Sequence, residues 1–167
     1  ASISNYPADL AREAMAILRE LGTPCLLHQA RYSMFDRWIE DGLTDVLEEE
    51  KVGAIVFSPL AQGLLTNKYL KGIPQDSRAA RKEILNLKIE HVSEEKLNKI
   101  EALNQLALQR GQSLAQMALA WVLRQKCVAS ALVGASSAGQ IKDSVKALDQ
   151  LSFSDEELRS IEHILSL

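Results

Sequence analysis

The sequence lacks the features that would place the chain in a membrane or on nucleic acid. No apolar run approaches the roughly 20 residues that a helix needs to cross a bilayer, and the N-terminus has no basic region followed by a hydrophobic signal core. Charge of one sign is also missing, because 19 basic and 22 acidic residues are mixed along the chain and leave a net charge of −3. We therefore expect no membrane partner and no nucleic-acid partner.

Cysteine and histidine are scarce and dispersed. Cys25 and Cys127 each lie in a short apolar stretch without a second Cys or His at metal-ligand spacing. The three histidines, at 28, 91 and 163, form no metal pattern. These observations favour buried free thiols in a reducing compartment over a disulfide or a metal site, and so we expect a cytoplasmic protein that binds no metal.

What is present is an ordinary globular composition with alternating elements. The 167 residues, 47% of them hydrophobic, are enough for one domain over 1–167 with a sizeable core. Apolar runs of strand length occur near 1–5, 24–29, 52–57 and 128–134, and helical patterns separate them. Alternating strands and helices, with strands that are apolar on both faces, predict an α/β fold with a parallel sheet covered by helices.

The helical patterns carry apolar faces and start signals. Ser-x-x-Gln or Ser-x-x-Glu at Ser113, Ser137 and Ser154 is the spacing of a capping box. The pattern over 8–21 gathers apolar residues on one face, and the pattern that begins at Ser137 is expected to bury its own. The first face consists of Leu10, Ala14, Ile17, Leu18 and Leu21, and the second of Ile141, Val145 and Leu148.

The segment from Ser58 to about Val92 interrupts the alternation. Loops longer than about 15 residues without secondary structure are uncommon and are usually functional or disordered. Polar or small residues also follow each predicted strand, at the edge where parallel α/β folds bind ligands. These residues are Ser4 and Asn5, His28 and Gln29, Phe57 and Ser58, and Gly134, Ala135 and Ser136.

Four motifs in this order resemble the C-terminal half of an aldo-keto reductase. They are SISNY (2–6), HQARYSMFDR (28–37), FSPLAQGLLTNKY (57–69) with GIPQDSR (72–78), and VGASSAGQIKDSVKAL (133–148). The resemblance is strongest to the branch that contains potassium-channel β-subunits and bacterial L-glyceraldehyde 3-phosphate reductases. It implies half of a (β/α)8 TIM barrel, comprising strands five to eight, their outer helices and an extra C-terminal helix, that binds NADPH without a Rossmann domain.

The resemblance also implies which residues hold the nicotinamide. Hydride transfer requires the ring to be held flat against the substrate. Ser4, Asn5 and Gln29 would bind its carboxamide, and Phe57 would stack on the ring. Without the resemblance, Ser4 and Asn5 would be interpreted as a strand-end turn and Phe57 as a core residue.

The long loop would bind the cofactor's pyrophosphate through the backbone N–H groups of Ser58, Leu60, Gln62 and Gly63. Pro59 would fix the exit from the strand, Gly63 would adopt a backbone conformation closed to other residues, and two cations would lie across the phosphates. The alternative is a loop with two solvated cations. We expect about 72–92 to be poorly ordered without cofactor. The residues implied are Ser58, Pro59, Leu60, Gln62, Gly63, Lys68 and Arg78.

The last motif would bind the adenosine end of the cofactor. Ser136 and Gln140 match contacts to the 2′-phosphate, and Gly134 precedes them in the same motif. Asp143 matches an adenine contact that is usually Glu, whereas Ser144 departs from the usual Asn. No Lys or Arg stands beside this phosphate position, so the preference for NADP over NAD comes from the family.

The family's catalytic Asp, Tyr, Lys and His lie on earlier strands, so no catalytic residue is expected in this chain. The leading hypothesis is NADPH-dependent reduction of aldehydes or ketones to alcohols by a complete enzyme, to which this chain supplies the cofactor-binding half. The alternatives are a non-catalytic regulatory module of the β-subunit kind and an inactive structural half-barrel. Half a barrel exposes strand edges, so we expect pairing with an N-terminal half or a second copy.

Overall fold

The fold is built on a parallel β-sheet, seen in a computed structural model that describes residues 1–66 and 93–167. Every neighbouring pair of strands in it is parallel, and the spatial order is β1-β2-β3-β4. Each connection therefore moves by one strand in the same direction, as in a barrel. The predicted parallel α/β sheet is confirmed. The strands are β1 (Ser2–Ser4), β2 (Leu27–Arg31), β3 (Gly53–Phe57) and β4 (Val128–Ala131).

Two predicted strand boundaries are wrong. β2 begins and ends later than 24–29, because Pro24 has no N–H to donate and because the pairing with β3 continues to Arg31, opposite Phe57. β4 ends at Ala131 instead of 134. The N–H of Leu132 makes the last bond to β3, and the chain after β3 then turns away.

Helices connect the strands and cover one face of the sheet. The capping boxes at Ser113 and Ser154 are present with both of their hydrogen bonds. The box predicted at Ser137 is only half formed, because its hydroxyl accepts from the N–H of Gln140 while the Gln140 side chain bonds Ser136 instead. The helices of the described residues are α1 (Ala8–Glu20), α2 (Leu43–Glu50), α3 (Glu94–Gln109), α4 (Leu114–Leu123), α5 (Ala138–Val145) and α6 (Asp155–Ser166).

The core lies between this helical layer and one face of the sheet. His28, Ala30, Ala54 and Val56 point into it and are fully buried, and Trp121 of α4 is the largest buried side chain. The opposite face differs from the prediction of strands that are apolar on both sides. Its positions on β1 and β2 are mainly polar and exposed, and they include Ser2, Ser4, Gln29 and Arg31.

The apolar face of α5 is not buried as predicted. Ile141, Val145 and Leu148 are 51%, 57% and 58% exposed, because no described element packs against this side of the helix. On the face predicted for α1, Leu10, Ile17 and Leu21 are exposed, whereas Ala14 and Leu18 are half-buried. The fully buried residues of α1 are Ala11 and Met15. The exposed faces belong to α1 and α5, which follow β1 and β4, the two outer strands of the described sheet.

Candidate functional site

The carboxyl ends of β1 and β2 bring together the three residues predicted to hold a carboxamide. Ser4 lies opposite Gln29 in the strand register. The N–H of Asn5 donates to the carbonyl of Gln29 at 2.9 Å, and Asn5 turns the chain out of the strand with a φ of 57°. Asn tolerates this left-handed conformation better than most residues. The predicted cluster of Ser4, Asn5 and Gln29 therefore exists, and strand pairing positions it.

Phe57 lies beside this cluster, at the end of β3. It pairs in register with Arg31 of β2. A cavity of about 470 Å³, which we call the edge cavity, is lined by Asn5, Pro7, Arg31, Trp38 and Phe57. Cavities of this size accept small ligands. The edge cavity therefore places an aromatic ring and the Asn5 turn on one space at the carboxyl edge of the sheet.

The loop after β3 adopts left-handed backbone conformations at four positions. The φ angles are 55° at Ser58, 47° at Ala61, 58° at Gln62 and 97° at Gly63. The predicted conformation of Gly63 is thus confirmed. For the other three residues this region costs about 1–2 kcal/mol each, and strain of this kind concentrates at ligand-binding segments. Pro59, inside this loop, is buried.

The N–H groups of this loop divide into used and available donors. Gly63 donates to the carbonyl of Leu60 at 2.9 Å, and Ala61 donates to Ser58 at 2.9 Å. Gly63 is therefore not the free donor that was predicted. The N–H groups of Leu60 and Gln62 have no acceptor within residues 1–66 and 93–167. Backbone donors exposed by such turns form concavities that bind anions. Lys68, Arg78 and the predicted disorder over 72–92 lie outside the described residues.

The segment between β4 and α5, residues 132–137, is exposed to solvent. Ser136 donates through its N–H and its hydroxyl to Oε1 of Gln140, at 2.8 and 3.2 Å. Both residues are exposed and lie at the N-terminal end of α5, where backbone N–H groups favour an anion. A Cβ at Gly134 would meet nothing within 4 Å, so the backbone there can be approached closely.

Asp143 has a structural partner that the sequence did not reveal. Its carboxylate accepts from Nε2 of Gln116 at 2.6 Å and from the hydroxyl of Ser113 at 3.3 Å. It therefore joins α5 to the N-terminus of α4, and this role competes with the predicted contact to adenine. Ser144, next to it, is half-buried.

Three residues of the edge cavity were not predicted: Pro7 after β1, Arg31 at the end of β2, and Trp38 after the turn that follows β2. Ser33 and Asp36 exchange backbone hydrogen bonds of 3.0 and 3.1 Å, which folds the chain back on itself. Nε1 of Trp38 then donates to the carbonyl of Arg31 at 2.8 Å. One sequence signal could have identified Arg31, because residues two apart on a strand share a face and Arg31 follows Gln29 by two.

A network of aromatic and charged side chains on the core side of this turn holds the turn in place. The Tyr32 ring packs on Trp121 with centroids 5.3 Å apart, and its hydroxyl contacts Glu40 and accepts from Arg124 at 3.0 Å. Burial alone would raise the pKa of Glu40, but hydrogen bonds from Arg37 and Tyr32 hold it below its usual value. The carboxylate is thus kept charged, and a well-supported shell of this kind keeps a site rigid.

The thiols and acidic groups offer no alternative chemistry. Cys25 and Cys127 are free and buried, as predicted, and burial raises the pKa of the Cys127 thiol to about 11, so it stays protonated and unreactive. Among the described residues, no cluster of three or more His, Cys, Asp or Glu side chains could hold a metal ion. None of the helices described is long and apolar enough to cross a membrane.

These features fit a nicotinamide dinucleotide better than a metal or a nucleophile. The edge cavity offers a ring surface at Phe57. The left-handed loop offers the N–H groups of Leu60 and Gln62, which have no acceptor in the part of the chain that the structure describes, and the N-terminal end of α5 is open beside Gly134. The engaged carboxylate of Asp143 is the feature that fits less well.

Comparisons with known proteins show which proteins the chain is similar to. The chain is 47% identical over 163 residues to the L-glyceraldehyde 3-phosphate reductase of Escherichia coli (strain K12), covering 96% of this chain and 47% of that protein. It is 35% identical over 149 residues to a probable voltage-gated potassium channel subunit beta of Oryza sativa subsp. japonica, covering 87% and 45%. Both branches named by the motifs are therefore represented.

The solved structures show the same relationship. The glycerol dehydrogenase of Gluconobacter oxydans matches with a TM-score of 0.77 and 28% identity, over 99% of this chain and 48% of that one. The chain spans about half the length of these relatives. A profile of the Aldo/keto reductase family matches residues 1–166. The chain therefore belongs to the aldo/keto reductase family, whose members are oxidoreductases that generally use NAD(P)H.

Proposed function

We propose that the chain supplies the cofactor-binding half of an NADPH-dependent reductase that converts aldehydes or ketones to alcohols. The observation that carries the proposal is the convergence of Ser4, Asn5, Gln29 and Phe57 at one edge of the sheet, next to the left-handed loop. The bound cofactor supplies the hydride. The two free thiols are consistent with a cytoplasmic protein.

The role of these residues is to orient and to bind. The amides of Asn5 and Gln29 can fix which face of the nicotinamide meets the substrate, while Phe57 supports the other face, and a positioned reactant lowers the barrier by removing rotational freedom. N–H groups of the loop hold the pyrophosphate. Ser136 and Gln140 bind the 2′-phosphate at the N-terminal end of α5, where no first-turn acidic residue opposes an anion. The family sets the preference for NADP.

The chain is proposed to correspond to strands five to eight of an eight-stranded barrel, with the proton donor on the other half. A positioned donor contributes about 10²- to 10⁴-fold to such a reaction. We therefore expect the isolated 167-residue chain to bind NADPH weakly and not to turn over.

The partner proposed is an N-terminal half-barrel equivalent to the part of the relatives that this chain does not match. β1 and β4 are the outer strands of the described sheet, and the helix that follows each of them, α1 or α5, carries exposed apolar side chains. Exposed apolar faces beside open strand edges indicate an interface. This face consists of Leu10, Ile17, Leu21 and Leu26 beside β1 and of Leu132, Val133, Ile141, Val145 and Leu148 beside β4.

A chimera tests the function. The chain is joined to the N-terminal half of the E. coli relative, and aldehyde-dependent oxidation of NADPH is measured for the chimera and for the isolated chain. We expect turnover only in the chimera. Phe57→Ala should raise the KM for NADPH about fivefold, since aromatic stacking contributes about 1 kcal/mol. The matched control is Phe35→Ala, another half-buried phenylalanine, which should leave it unchanged.

The same chimera separates the alternatives. A folded chimera that binds NADPH but reduces no aldehyde would support the regulatory module. A folded chimera that does not quench NADPH fluorescence would support the structural half-barrel and contradict the proposal. Arg78→Ala should raise the KM for NADPH more than it lowers kcat, because the proposed contact is to the phosphates and not to the reacting carbon.

A further inference from the structure

The edge cavity contains a cation that the proposed cofactor contacts do not use. Arg31 ends β2 two residues after Gln29, on the same face of the sheet, and lies opposite Phe57. With Asn5, Pro7 and Trp38 it lines the edge cavity. Its side chain is 56% exposed there, so the guanidinium is accessible to a ligand.

Neighbouring groups hold the Arg31 guanidinium, but only one of its three nitrogen atoms has a partner among the described residues. Its Nε is paired with Oδ2 of Asp36. The turn closed by Ser33 and Asp36 holds that carboxylate, and the indole of Trp38 binds the carbonyl of Arg31. Neither Nη group has a partner among the described residues. The Asp36 contact thus engages Nε only, and it leaves the two Nη groups as a fork of donors for a ligand in the edge cavity.

A fork of two parallel N–H donors matches an oxyanion better than any neutral group does. We propose that Arg31 binds an anionic group, a phosphate or a carboxylate, carried by the carbonyl substrate, and so selects short anionic aldehydes. This inference rests on the proposed function in one respect, because the proposed function places the reacting carbonyl group of the substrate beside Phe57. Asp36 and Trp38 act as positioning residues, because they hold Arg31 and not the ligand.

The chain carries its own probe of this site. It has two tryptophans, of which Trp38 lines the edge cavity and Trp121 is fully buried, so the two indole N–H signals of a ¹⁵N-labelled sample report on the cavity and on the core. We expect glyceraldehyde 3-phosphate to shift the Trp38 signal and not the Trp121 signal. Inorganic phosphate should shift it more weakly, and glyceraldehyde without phosphate should bind at least tenfold more weakly than the phosphorylated aldehyde.

Variants assign the effect to the guanidinium. Arg31→Gln should raise the Kd for glyceraldehyde 3-phosphate about tenfold or more, since a hydrogen bond to a charged group contributes about 1.5–3 kcal/mol, and should leave the Kd for glyceraldehyde unchanged. Arg31→Lys keeps the positive charge but loses the two parallel donors. Its Kd for glyceraldehyde 3-phosphate should lie between those of the wild type and Arg31→Gln. Arg12→Gln is the matched control, because Arg12 is also exposed and paired with a carboxylate, that of Glu49, on the helical layer.

Three outcomes decide the proposal. Equal affinity of the wild type and both Arg31 variants for glyceraldehyde 3-phosphate would overturn it. So would an Arg31→Gln variant that weakens NADPH binding but not glyceraldehyde 3-phosphate binding, since the arginine would then belong to the cofactor site. A chain that binds the phosphorylated aldehyde through Arg31 yet never binds NADPH would support this inference while contradicting the proposed function.

Discussion

His28 shows how a single buried side chain links the sheet to the pH dependence of stability. Its ring is fully buried on β2, and Nε2 lies 3.2 Å from the carbonyl of Tyr6, so the neutral ring can donate there. Burial lowers the pKa of His28 below its ordinary value of 6.5, against the opposing effect of the Tyr6 hydrogen bond. The folded protein therefore holds this ring neutral under conditions in which the unfolded chain protonates it.

The expected consequence is a loss of stability on mild acidification. Because the unfolded state binds the extra proton, the free energy of unfolding should fall as the pH drops below about 6.5. Urea unfolding at pH 7.5 and pH 5.5 measures this fall. His28→Gln should make it smaller, whereas His163→Gln, an exposed histidine of α6, should not. An unchanged fall in His28→Gln would show that other groups cause it.

At the scale of an element, the start of α6 illustrates a local signal that acts as predicted. The Ser154 hydroxyl accepts from the N–H of Glu157 at 3.2 Å, and the Glu157 carboxylate accepts from the N–H of Ser154 at 2.7 Å. Glu157 also contacts Arg110 at 2.6 Å. Two backbone donors of the first turn are thus satisfied by side chains three residues apart.

Removing this cap should cost about 1 kcal/mol. We expect Ser154→Ala to lower the free energy of unfolding by that amount in chemical denaturation. Ser160→Ala in the same helix is the control, because its hydroxyl only donates back to the carbonyl of Glu156, and it should change stability by a few tenths at most. Equal losses in both variants would mean that the cap is not responsible.

At the scale of the whole molecule, exposed apolar side chains near both outer strands, β1 and β4, are the main feature that calls for a partner. Val145 on α5 is 57% exposed, and Leu108 on α3 is 58% exposed. These two residues have similar exposure in different settings. Val145 belongs to the apolar face beside β4, and Leu108 lies on a helix that already packs against α4 and α6.

This pair gives a test of the proposed half-barrel interface. We expect the isolated chain to associate, or to bind an added N-terminal half, in sedimentation velocity. Val145→Glu should weaken that association by introducing a charge into the apolar face, and Leu108→Glu should have no effect. Homodimers would identify a second copy as a possible occupant of the face. A wild-type chain that is folded and monomeric and does not bind the added N-terminal half would refute the proposed interface.

Local patterns by themselves determined the elements of this protein. The apolar runs identified every strand of the described sheet, and Ser-x-x-Glu or Ser-x-x-Gln spacing identified the starts of α4 and α6, because a cap satisfies donors within one turn. The motifs at strand ends also placed Ser4, Asn5 and Gln29 correctly beside each other, since parallel strands align their carboxyl ends.

Contacts between distant residues were decided only by the tertiary structure. Periodicity showed that Ile141 and Val145 share an apolar face, but which element covers a face depends on its neighbours, and no described element covers this one. The bond of Gln116 to Asp143 spans 27 residues. The edge cavity likewise needs β1, the turn after β2 and the end of β3 together. A linear pattern records which groups are available, whereas packing alone brings Arg31, Trp38 and Phe57 around one space.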